Sequence, residues 1–156
     1  MSNYSSEIIE AARLRVGSVF RHHFKPQDLC ENGTITINTC MERGMDSVGY
    51  DCSGLVIASL CEVLNLNPQQ WPKEYRHLNH LKELEESTDP NEGDILLFYP
   101  ELTKYSPRGT HMGIFVAEHC VIHASGLSGF VEEGAVKGVF ERVGVIPHST
   151  FLSITS

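Results

Sequence analysis

The 156 residues carry 41% hydrophobic and 21% charged side chains, which excludes a disordered chain and suits one folded domain around one core. Twelve Lys and Arg against 20 Asp and Glu leave a formal charge of −8, which argues against nucleic acid as a partner, since phosphate binding needs clustered cations. No segment approaches the ~20 apolar residues of a membrane span, and the N-terminus lacks the apolar stretch of a signal peptide.

In chain order, Ser5 or Ser6 is placed to cap a first helix in which Ile8, Ile9, Ala12 and Val16 recur at helical spacing, with Gly17 ending it. Phe20-Arg21-His22-His23-Phe24 follows as an aromatic, basic loop. Residues 25–48 read as an excursion from the core, with turn chemistry at Glu31-Asn32-Gly33 and a short alternating strand from Thr34 to Asn38. Asp51 stands at a natural N-cap. Beyond it, Leu55, Val56, Leu60, Val63 and Leu64 mark the buried face of a central helix from Cys52 to about Leu64. Between Pro72 and Pro90, Tyr75, Leu78, Leu81 and Leu84 recur every three residues and predict a second, more exposed helix. Asn91-Glu92-Gly93-Asp94 turns the chain into a buried strand, Ile95 to Tyr99. A polar loop then leads to residues 111–116 and 120–124, a hairpin. Short strands near residues 129–132, 138–142 and 151–154 complete an antiparallel sheet. Helices first and strands afterwards predict an α+β domain over residues 1–156.

The chemistry concentrates in three residues. A thiol in the first turn of a helix is stabilised as thiolate by the helix dipole and by unpaired backbone N–H groups, which makes Cys52 a nucleophile. The competing reading, an inert buried cysteine, fits Cys61 and Cys120 better. If the hairpin loop is the three residues Ala117-Glu118-His119, Val116 opposes Cys120 and Gly113 opposes His123. His111 and His123 then share a face as diagonal neighbours with Gly113 leaving room between them, whereas a two-residue loop would part them. In the favourable register His111 takes the thiol proton and His123 holds its ring in the right tautomer. Asp51 and Ser53 read equally well as capping residues, and Asp94 as turn chemistry. Solvated loop side chains are the simpler reading of His22 and His23. His77 and His80 lack a third ligand nearby in sequence, so no metal and no cofactor is expected. The odd set Cys30, Cys40, Cys52, Cys61 and Cys120 has no CxxC spacing and predicts a reducing compartment, with a Cys30–Cys40 bridge left open.

Tyr50-Asp51-Cys52-Ser53-Gly54, Gly93-Asp94, His111-Met112-Gly113-Ile114 and Ile122-His123-Ala124 occur in that order, and together they resemble the NlpC-type (NlpC/p-sixty) cysteine peptidases of the papain-like superfamily. The resemblance implies a central nucleophile helix packed on an antiparallel sheet. It also implies cleavage of peptide or isopeptide bonds in peptidoglycan stem peptides, at γ-D-glutamyl–diamino acid bonds. Carried over, Cys52 is the nucleophile, His111 the base and His123 the orienting residue. The Cys52 N–H helps form an oxyanion hole, and Asp51 and Ser53 contact the free amino end of a stem peptide. Where the family often has Gly-x-Pro-Tyr, this chain has Gly17-Ser18-Val19-Phe20, so Phe20 occupies the substrate side without a hydroxyl. Members with an aromatic-Arg-His segment occur in phage tail proteins, which Phe20-Arg21-His22 resembles. The expected partner is a muropeptide, with no membrane partner. The chain is expected to be cytoplasmic as made and delivered to the wall by a phage or a dedicated export system. Three rivals remain: an amidase or acyl transferase using the same thioester, a zinc-binding module built on Cys52, His111 and His123, and a non-catalytic scaffold.

Overall fold

The computed structural model describes residues 4–20, 50–76, 78–100, 110–137 and 140–156. The expectations for residues 21–48, including His22, His23, Cys30, Cys40 and the short strand, lie outside them, as does His77. The described chain forms α1 (Ser5–Arg13), α2 (Cys52–Leu64), β1 (Ile95–Pro100), β2 (His111–Ala117), β3 (Cys120–Ala124), β4 (Val131–Gly134) and β5 (Phe140–Ile146). A single helical turn, α3 (Leu78–Leu81), precedes the sheet, and α4 (His148–Ile154) closes the chain. The strands form one antiparallel sheet in the order β4-β3-β2-β1-β5. Helices ahead of an antiparallel sheet are the α+β arrangement the sequence predicts. Among the described residues, no helix is long and apolar enough to cross a membrane.

Helix α2 is the centre of the domain. Its residues from Ser53 to Cys61 are all buried, on every side rather than along one stripe. Leu55, Val56, Ile57, Ala58 and Leu60 leave those turns no polar face. The helix therefore sits between α1 on one side and β2 and β3 on the other. The Ser59 hydroxyl, buried in its middle, donates to Leu55 O at 2.8 Å. Asn65 ends it in the left-handed conformation, φ 55°. Ile8, Ile9 and Ala12 of α1 pack into the same core, which continues through Leu97, Met112, Ile114 and Ile122 of the sheet. Arg15, fully buried, donates to Ala11 O at 2.7 Å and lies 3.3 Å from Glu62, tying the end of α1 to α2. A second cluster of Leu96, Phe98, Val121 and Val145 covers the alternate positions of the strands.

Several expectations are corrected. Ser5 does not cap α1 but lies inside it, after an N-cap at Tyr4 that makes no side-chain bond, and Val16 falls beyond the helix end and is exposed. The run from Tyr75 to Leu84 is not one helix. It breaks into 3₁₀ turns at Lys73–Tyr75 and Lys82–Leu84 around α3. Recurrence every three residues is the 3₁₀ period rather than the 3.6 of an α-helix. Residues 151–154 are not a strand but the end of α4. Asp94 explains α4: buried in its turn, it accepts from the Asn91 N–H at 2.8 Å. It also accepts from the His148 N–H at 2.9 Å and meets the His148 ring at 2.6 Å. Burial disfavours its ionised form, yet the His148 and Asn91 hydrogen bonds prevail and hold the carboxyl below its ordinary range.

Candidate active site

The Asp51 side chain accepts the Gly54 N–H at 2.6 Å while its backbone is extended, the geometry that starts α2 immediately at Cys52. Ser53 Oγ lies 3.4 Å from the same carboxylate oxygen. Asp51 and Ser53 are thus in contact and both buried, and these contacts cap the helix. Cys52, partly exposed, packs at the edge of the main core with its thiol unbridged. Cys61 is fully buried, as expected of an inert cysteine. Cys120 departs from that expectation, being partly exposed with Sγ 3.7 Å from Glu133. Desolvation, then the Glu133 carboxylate, holds its thiol above the usual value.

His111 Nε2 and His123 Nδ1 meet at 2.9 Å, with the rings nearly perpendicular. The register that achieves this is the expected one, reached by another route. Ile114 pairs with Ile122 and Phe115 with Val121, which sets Gly113 across from His123. The turn itself, however, has only two residues, Glu118 and His119, with His119 at φ +61°. A bulge between Phe115 and Ala117 absorbs the odd residue and restores both histidines to one face. Gly113 is required there by close approach: a Cβ would stand 2.4 Å from Val121 Cγ1, 2.9 Å from Ile122 O and 3.0 Å from His123 Cβ.

With Nε2 engaged by His123, only Nδ1 of His111 remains to accept a proton. Burial, then the neighbouring His123, pushes the His111 pKa down to about 4, so the resting imidazole is uncharged at neutral pH and keeps its lone pair. Burial lowers His123 as well, opposed by the Glu132 carboxylate. Glu132, its cross-strand partner, places Oε1 3.4 Å from His123 Nε2. No sequence signal marked Glu132, because β4 had no motif and its pairing partner depends on the tertiary register.

A chain of backbone contacts brings the α2 start to the same end of the sheet as this pair. Phe20 bridges Tyr50, two residues before Cys52, and its N–H donates to Gly129 O at 2.8 Å. Gly129 N–H donates to Ser125 O at 2.9 Å, and Ser125 directly follows β3 where β2 begins beside it. Phe20 thus stands at this end, partly buried against the core. Leu127 and Phe130, on the loop after β3, are exposed. The structure joins His111 with His123, and Asp51 with Ser53; α2, which carries Cys52, packs on the strands of the histidine pair. Among the described residues, no group of three or more His, Cys, Asp or Glu side chains is set to hold a metal ion.

Comparison with known proteins agrees with the fold. RipD from Mycobacterium tuberculosis, a non-catalytic NlpC/p60 domain protein adapted to peptidoglycan binding, superimposes with a TM-score of 0.60 at 15% identity, over 94% of this chain and 98% of that one. The peptidoglycan hydrolase RipB from Mycobacterium tuberculosis matches with a TM-score of 0.59 at 21% identity, over 91% of this chain and 63% of its own. The resuscitation promoting factor interacting protein RipA, in a mutated form, matches at 0.59 and 18% identity, over 92% and 61% respectively. This chain therefore spans less than two thirds of the RipB and RipA chains, and likeness at these identities concerns the fold. No curated protein sequence is significantly similar. The model of the NlpC/P60 family matches residues 41–143, which include Cys52, both histidines and Glu132, and the chain belongs to that family.

Proposed function

We propose that the protein is a cysteine peptidase that cuts peptide or isopeptide bonds in peptidoglycan stem peptides, at γ-D-glutamyl–diamino acid linkages. The observation that carries the reading is the 2.9 Å contact between His111 and His123 at the sheet end where α2 begins with a thiol. In this mechanism His111 Nδ1 accepts the Cys52 proton and the thiolate attacks the scissile carbonyl. The oxyanion forms against the N–H groups of the α2 first turn. Collapse forms the Cys52 thioester and expels the amine, which takes its proton from His111. Water, deprotonated by His111, then hydrolyses the thioester and frees the thiol. Asp51 and Ser53 hold the helix start that aims the thiol and present their polar edges to the amino end of the substrate, with Phe20 beside them. Family membership and the resemblance to RipB support the wall as the place of action, reached by phage or dedicated export.

RipD, non-catalytic and peptidoglycan-binding, favours one second reading, a domain that binds the wall without cutting it. The two part on the reactivity of Cys52. Brief exposure to iodoacetamide at pH 6, followed by peptide mass spectrometry, is expected to label Cys52 at least ~10-fold faster than Cys61 and Cys120, because thiolate rather than thiol is alkylated. Equal, slow labelling of all three would remove the nucleophile and leave the binding domain.

A further inference from the structure

We propose that Glu132 is a positioning residue that fixes the tautomers of the His111–His123 pair, an inference that rests on the peptidase reading for its effect on rate. The 2.9 Å contact holds one proton between two ring nitrogens, and only two neutral arrangements satisfy it. In the first, His111 donates from Nε2 to Nδ1 of His123. His111 then has a lone pair at Nδ1 for the thiol, and His123 carries its own proton on Nε2. In the second, His123 donates from Nδ1 to His111 Nε2. His111 then carries its proton on Nδ1, where it has no lone pair to offer, and His123 has a bare lone pair at Nε2.

The surroundings of His123 Nε2 choose between them. That atom is buried and has no hydrogen-bond partner among the described residues, in a side chain only 3% exposed. Among the described residues, the charge beside it is the Glu132 carboxylate, 3.4 Å away on the cross-strand residue, close but not aligned as a hydrogen bond. A buried N–H facing a carboxylate is attracted, whereas a buried lone pair facing it is repelled. Only the first arrangement puts an N–H there. Glu132 therefore selects the state in which His111 is a base, acting through His123 and touching neither thiol nor substrate. The half-exposed position of Glu132 keeps the effect moderate, below that of a buried orienting carboxylate.

The test is ¹⁵N NMR of the histidine rings in the free protein, for wild type, Glu132→Gln and Glu132→Asp, with kcat and KM measured in parallel. In the wild type both rings are expected to be protonated at Nε2 and bare at Nδ1. In Glu132→Gln, whose amide can donate to a lone pair, a large share of the pair is expected to shift to the Nδ1-protonated forms. kcat is expected to fall about 10-fold with KM and Tm unchanged, and Glu132→Asp to recover the wild-type tautomers. Identical ring spectra in wild type and Glu132→Gln would overturn the proposal, as would wild-type rings protonated at Nδ1. The NMR readout needs no substrate, so a protein that proves inactive would defeat the peptidase reading while leaving the tautomer result standing.

Discussion

His111→Ala is expected to lower kcat/KM by about 10³-fold, roughly 4 kcal/mol of transition-state stabilisation, in steady-state assays on a defined stem peptide. His111 Nε2 is engaged by His123 at 2.9 Å, which leaves Nδ1 as the nitrogen of this ring that takes the thiol proton. Its low pKa of about 4 means that the ring is uncharged before the reaction and gains charge only as the thiol ionises. The loss should therefore fall on kcat rather than on KM, since the substrate is bound by other groups. A variant that keeps wild-type turnover would mean that the base lies elsewhere. A variant that loses its cooperative melt would report a packing role beside Phe98, whose ring lies 6.1 Å away.

Gly113→Val is expected to destabilise the fold by about 3 kcal/mol, through overpacking between two central strands. On a chain of this size that is a fall in Tm of roughly 6–12 °C. The first added carbon already stands 2.9 Å from the Ile122 carbonyl oxygen, a backbone atom, and 2.4 Å from Val121. Relief requires β3 to move away from β2, and β3 carries His123. Activity in the surviving folded fraction should therefore fall too, by separation of the histidine pair. An unchanged Tm would contradict the close pairing of Gly113 and His123, and with it the register on which the site depends.

The candidate site is legible in the sequence because its signals are local. Asp51 before Cys52 is a cap and helix start within four residues, and His-x-Gly-Ile and Ile-His-Ala alternate within single strands. The same alternation narrows the register to pairings that put both histidines on one face, and the expected pairing of Gly113 with His123 is one of them. How the hairpin closes is not legible, because a two-residue turn with a bulge and a three-residue loop lead to the same strand pairing. α4 is not legible in the sequence, for a different reason. Phe151, Leu152 and Ile154 are too short a run to distinguish helix from strand by period, and the helix is anchored by Asp94, 54 residues earlier. Glu132 belongs to the same class: a glutamate on an edge strand acquires meaning only from the residue across the ladder.

The measurement that bears most directly on the peptidase reading is digestion of purified muropeptides of defined stem by the wild type and by Cys52→Ala, read by mass spectrometry. The expected result is a single new amide cleavage at the γ-D-glutamyl–diamino acid bond, absent with Cys52→Ala. No cleavage of any stem by wild-type protein that still binds those muropeptides would contradict it, and would place this chain with RipD as a binding domain.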